Sequence, residues 1–139
     1  KGHRCVACAY NAAFDIRVLD KTSKALVGKR SRFVKSRRVA WLDIWLFWAQ
    51  SCPQAARNMP KLKSGRIKTT AEAVAQFEIS KTYEHLHEGL ADAKSEAQIL
   101  QTILGRKKKI PFNEIGARCS RIANERLGII EPEKKVKAA

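Results

Sequence analysis

An α/β architecture is the fold class this sequence predicts. Two short apolar runs carry the strand half of that expectation. They are RCVACAY, from Arg4 to Tyr10, and VAWLDIWLF, from Val39 to Phe47. An amphipathic segment of helical spacing separates them, and the periodic segments after the second run are helical.

RCVACAY is apolar on both faces, the pattern of a strand buried on both sides. In FDIRVLDKTSKALVGK, Phe14, Val18, Leu19 and Leu26 recur near helical spacing, and Gly28 is a natural stop. KRSRFVKSRR is a basic connection. VAWLDIWLF begins as a second strand and continues as apolar helix to about Ala56, with Pro53 kinking or ending it. NMPKLKSGRIKTT is a basic loop containing Pro60 and Gly65. Thr69 or Thr70 can cap the short helix AEAVAQF. His85 to Leu104 predicts the clearest amphipathic helix, with Leu90, Ala93, Ala97, Leu100 and Leu104 as its core stripe. GRKKKIP ends it, FNEIGARCSRIANERLG predicts one more helix, and EPEKKVKAA reads as a disordered charged tail. Two parallel strands make a poor sheet on their own, so the sheet reads as incomplete.

The chain has 139 residues, 45 % of them apolar, which suits one domain with a real core. Lys and Arg number 28 against 13 Asp and Glu, a formal charge of +15. A compact domain this basic repels itself, and nucleic acid is the default polyanionic partner; a basic surface kept for solubility alone is the plainer alternative. No apolar run approaches the ~18 residues of a membrane span, so no membrane partner is expected. The chain begins with Lys1 and shows no signal-peptide pattern, so it is expected to be a fragment or processed product that acts in the cytoplasm.

Cys5, Cys8, Cys52 and Cys119 fit reduced, mostly buried thiols. HRCVAC invites a zinc reading through His3, Cys5 and Cys8. But residues three apart on a strand point to opposite faces, and no second ligand pair follows.

Three polar residues stand out against the apolar pattern. Asp15 lies where the first strand turns into a helix, and ligand sites in open α/β sheets gather at strand carboxyl ends. Asp92 sits between Leu90 and Ala93, close to the predicted core stripe, where a carboxylate is costly unless paired or bound to metal. His87 precedes it in HEGLADAKSEAQIL. Plainer readings exist: Asp15 as a helix-start residue, and Asp92 as a surface acid paired with Lys94. Glu88 and Glu96 read as solvated or supporting acids. Trp41, Trp45 and Trp48 could stack bases, but their spacing of three and four reads as core first.

YNAAFDIRVL resembles the second motif of the DEDDh 3′–5′ exonucleases, His/Tyr-Asn-Ala-x-Phe-Asp, at all six positions. That family includes proofreading exonuclease subunits, ribonuclease T and oligoribonuclease. HEGLADAKSEAQIL resembles their third motif, a His followed five residues later by an Asp. LDIW resembles the intervening strand that usually carries Asp-Thr, with Ile44 replacing the Thr, and KLKSGRIKTTAEA resembles their Lys-Leu segment and short helix. The resemblance spans about Cys5 to Leu104 and implies a ribonuclease H-like exonuclease fold. In that family four carboxylates hold two Mg²⁺ or Mn²⁺ ions, which clamp the attacking and leaving oxygens of a phosphodiester. By motif position, Asp15 and Asp92 would be metal ligands and His87, rather than His85, the general base. Tyr10, Asn11 and Phe14 would bind the terminal nucleotide. Arg30, Arg32, Lys35, Arg37, Lys61, Lys63, Arg66 and Lys68 would hold the nucleic-acid backbone, with Arg106–Lys109 beside them.

The family's first motif, Asp-x-Glu, is missing. The sole acid-x-acid triplet is Glu131-Pro132-Glu133, in the predicted tail. The resemblance therefore implies an N-terminally incomplete domain, with two core strands plus about five helices. Residues 1–106 would be its C-terminal portion, 107–130 an additional helical segment and 131–139 a basic tail. The expected partners are the missing strands, single-stranded 3′ ends of DNA or RNA, and a second copy of the chain, since several family members dimerise. The isolated chain should be weakly active or inactive. A non-catalytic nucleic-acid-binding module with a degenerate exonuclease fold is the alternative. A protein-interaction domain whose basic surface docks an acidic partner is a third.

Overall fold

The computed structural model describes residues 5–35, 39–51, 58–64, 67–83, 88–106, 109–116, 121, 123–125 and 127, without the side chain of residue 35. The architecture is α/β. Strand β1 (Cys5–Ala9) pairs in parallel with β2 (Val39–Asp43), in register from Cys5 opposite Val39 to Ala9 opposite Asp43. A parallel pair needs a crossover. It is made by α1 (Ala12–Val27) and the one-turn α2 (Arg32–Lys35). Then follow α3 (Ile44–Ser51), α4 (Ala71–Glu78) and α5 (Gly89–Leu104), with a further helical turn near residues 121–125. No helix among the described residues is long and apolar enough to cross a membrane.

The local signals explain most boundaries. Asn11 takes the left-handed conformation (φ 61°) that turns β1 into α1. Gly28 ends α1 in the same region (φ 66°), its N–H donating to the Lys24 carbonyl at 3.0 Å. Thr70, not Thr69, caps α4, with Oγ1 accepting from the Ala73 N–H at 3.3 Å.

The core lies on one side of the sheet, where α3, α4 and α5 meet. Ile44, Phe47, Trp48, Val74, Ile99 and Ile103 are fully buried in it. Trp41 and Trp48 are core residues, as their spacing predicts, and Phe33 meets Trp41 edge-on with ring centroids 5.6 Å apart. Glu78 ties this layer together. It accepts from the Trp48 indole at 2.9 Å and takes Arg106 in two bonds at 2.8 and 2.7 Å.

Four expectations are corrected. The stripe of α5 that enters the core is Ser95, Ile99 and Ile103. Of the predicted stripe, Leu90 (70 % exposed), Ala93, Ala97 and Leu104 face outward and Leu100 only flanks the core. Two bulky β-branched residues withdraw more apolar area than alanines do, and Ser95 is admitted because it bonds the Ala91 carbonyl and the Tyr83 hydroxyl. The helix itself begins at Gly89 rather than His85, because Glu88 is extended (φ −112°, ψ 128°). Residues 109–116 form bends and turns rather than the start of a helix, with Asn113 at φ 59°. Finally, β1 is not buried. Val6 is 43 % exposed and the Cys5 and Cys8 thiols are free and exposed. Only β2 covers β1 among the described residues, so one edge of a strand written for burial lies open. The outer edge of β2 is closed instead: Asn113 donates its N–H to the Trp41 carbonyl at 2.8 Å and accepts the Trp41 N–H on Oδ1 at 2.9 Å.

Candidate functional site

The carboxyl ends of the two strands are Ala9 and Asp43, opposite one another. What the chain does next is the same on both strands: it turns at once into a helix. The first turns of α1 and α3 therefore direct their unpaired N–H groups toward the same place. Asp43 answers both. Its Oδ1 accepts from the Leu46 N–H at 3.2 Å, and the N–H groups of Trp45, Asn11 and Ala12 also act on the carboxylate. Asn11 makes no side-chain cap of its own for α1. One carboxylate thus serves two helix starts. Burial pushes the Asp43 carboxyl above its usual range, and these N–H groups pull it partly back.

Helix α5 approaches the same strand end. Glu96 accepts the backbone N–H of Tyr10 at 3.1 Å. Asp92 lies one turn earlier on the same helix, half-buried in the first turn, with Oδ1 shielded from solvent. Asp15 is half-buried in the first turn of α1, where burial raises its carboxyl and its own backbone N–H lowers it. Both expected carboxylates therefore sit in the first turn of a helix that touches the end of β1.

Tyr10 crosses the strand end, its hydroxyl donating to the Thr69 carbonyl at 2.8 Å. Burial raises the phenol well above its ordinary value, and the Asp43 and Glu96 charges raise it further. Tyr10, Asn11, Trp45, Thr69, Thr70 and Ala71 line a cavity of about 500 Å³. Phe14 does not line it. Phe14 is 53 % exposed, with the Arg17 guanidinium 5.7 Å from its ring centre.

The expected backbone-binding residues divide. Lys61 and Lys63 are exposed on a short segment where Lys61 bridges Ile67 and the Lys68 N–H donates to Pro60. Lys68 reaches Glu72 at 3.8 Å and stays half-exposed. Arg32 is exposed. Arg30 is committed, its Nε bonding both Asp20 oxygens at 3.0 and 2.8 Å. His87, His85, Arg37, Arg66 and the side chain of Lys35 lie outside the described residues.

No three His, Cys, Asp or Glu side chains among the described residues converge as ligands, and Asp43 is occupied by backbone donors. Asp43 and Glu96 hold the candidate site together, and neither contact follows from sequence spacing alone. Asp43 carried a signal, since an Asp directly before an apolar helical run is a cap pattern. Glu96 carried none, because its partner is a backbone N–H 86 residues away. Comparison of the chain with protein-family models, with curated proteins and with solved structures gives no match.

Proposed function

We propose that this chain is the carboxyl-terminal part of a DEDDh-type 3′–5′ exonuclease domain of ribonuclease H-like fold, working on 3′ ends of DNA or RNA. One observation carries the reading. The two motifs that resemble the family, 77 residues apart at Asp15 and Asp92 by their numbers in the chain, each begin a helix that abuts the end of β1. Random acids on a basic chain have no reason to share that address. The charge of +15 and the exposed Lys61 and Lys63 support a polyanionic substrate.

The family pattern holds two ions with four carboxylates, and Asp15 and Asp92 would supply two of the four. The open edge of β1 is where a further strand bearing Asp-x-Glu would add. The missing motif also favours a second reading, a nucleic-acid-binding module without catalysis.

The test is Mn²⁺ added to the isotope-labelled chain. The exonuclease reading expects selective line broadening around Asp15 and Asp92, removed in the double variant D15N/D92N, and at most slow removal of 3′ nucleotides by the chain alone, seen only when the divalent ion is present. Salt-sensitive oligonucleotide binding with no such broadening would leave the non-catalytic module standing.

A further inference from the structure

We infer that the cavity of about 500 Å³ beside the strand end is a nucleobase subsite, with Trp45 as its stacking wall. The inference deepens the nucleic-acid reading above and rests on it.

The lining decides the ligand class. Trp45, the second residue of α3, and Tyr10 supply aromatic surface. Asn11 supplies an amide, and Thr69 and Thr70 supply hydroxyls. Among the described residues no charged side chain lines the space. A flat ligand with neutral donors and acceptors on its edge fits such walls, and base stacking on an aromatic side chain is tolerant of sequence. The volume falls in the range of small-ligand sites and exceeds a single base.

The walls are also held. The Tyr10 hydroxyl is tied to the Thr69 carbonyl at 2.8 Å, which pins the 69–71 segment across the strand end. Thr70 accepts from the Ala73 N–H and fixes the start of α4. Asn11 is fixed by its left-handed backbone, while its amide makes no hydrogen bond within the described residues. A pre-set cavity loses little order when it fills.

The phosphate side follows from the chain path. Lys68 immediately precedes Thr69, and Lys68 pairs through its N–H with Pro60, at the base of the segment that carries Lys61 and Lys63. A base in the cavity leaves its sugar and phosphate toward these cations. The neutral cavity reads the base, and the lysines hold the backbone.

The test uses neutral adenosine and uridine, with ribose 5-phosphate as the control lacking a base. Trp45 is the one cavity-lining tryptophan, since Trp41 and Trp48 are buried in the core. The nucleosides should shift the Trp45 indole N–H and the Thr70 and Ala71 amides saturably, and added salt should not weaken this. Ribose 5-phosphate should leave those signals unmoved. A71F, which fills the cavity from the first residue of α4, should abolish the nucleoside shifts and leave salt-sensitive oligonucleotide retention in place. If A71F does not fold, T69V is the milder variant and should weaken nucleoside binding. Oligonucleotide binding with no nucleoside shift at Trp45 would overturn the subsite and spare the nucleic-acid reading. Nucleoside shifts without any oligonucleotide binding would do the reverse. Nucleoside shifts that survive A71F in a folded protein would also overturn the subsite.

Discussion

Replacing Asp43 with alanine tests whether one carboxylate holds two helix starts. The substitution removes the acceptor of the Leu46 N–H at the start of α3 and frees the N–H groups of Asn11 and Ala12 at the start of α1. Losing a helix cap costs about 1 kcal/mol, within a range of about 0.5–2. Leaving the α1 donors without their acceptor adds about 1 kcal/mol more. The opposing effect is relief of a buried charge, and it is substantial, because burial is the largest influence on this carboxyl. The net expectation is destabilisation by about 1–2 kcal/mol at pH 7, read as a urea midpoint lower by roughly 1 M. D43N keeps one acceptor oxygen and should lose about half as much. The pH dependence has a definite sign. The folded carboxyl titrates above its unfolded value of about 3.8, so protonation stabilises the fold below that value. That contribution is lost as pH rises through the folded value. The gap between wild type and D43A should therefore be wider in acid than at neutrality. Equal stability of D43A and wild type at pH 7 would refute the double-cap reasoning.

The core face of α5 predicts a contrast between two leucine-sized residues nine positions apart. I99A should cost about 2–5 kcal/mol and L90A less than about 0.5, both by urea unfolding; the reverse order would restore the stripe read from the sequence. Asp20 has the opposite sign of pH dependence from Asp43. Burial raises its carboxyl, but the Arg30 and Lys24 partners lower it further, so the net displacement is downward. Its contribution is present above about pH 4 and lost as pH falls through the folded value. D20N should therefore be less stable than wild type at pH 7, with the difference closing in acid; a difference that widened in acid would contradict the ion pair.

Element types were legible because each rests on a local signal. Gly28 at φ 66° and the Thr70 cap are short-range chemistry, and both ends were readable. The face of α5 was not. Its apolar residues form two overlapping stripes, and the choice between them belongs to α3 and α4, which pack against the Ile99 side. Periodicity fixes that a helix is amphipathic but not which of two apolar stripes a neighbour will cover. The turns at 112–116 escape the sequence pattern for a related reason. Asn113 adopts a left-handed backbone to pair with Trp41, a partner 72 residues away. At the candidate site, the motif positions of Asp15 and Asp92 were readable as a resemblance. The Glu96–Tyr10 bond that brings α5 to the strand end was not, because a half-buried Glu on a helix looks the same in sequence as a solvated one.

The two edges of the sheet differ, and the difference is measurable. In a parallel strand, the N–H and C=O of one residue point to the same side, and successive residues alternate. Half of the β1 peptide groups therefore face β2 and half face away. The outer edge of β2 is closed by Asn113 at Trp41, but no described strand meets the outer side of β1. Exposed strand edges are normally blunted by charge, proline or a covering element. CVACA carries no charge and no proline, and Cys5, Val6 and Cys8 are exposed while Ala7 and Ala9 are half-buried. Such an edge is chemically suited to receive another strand. Amide hydrogen exchange on the chain alone should then alternate along Cys5–Ala9, slow where the N–H faces β2 and fast where it faces outward. Uniformly slow exchange would mean that the outer edge is already paired in solution, and the argument for an added strand would fail.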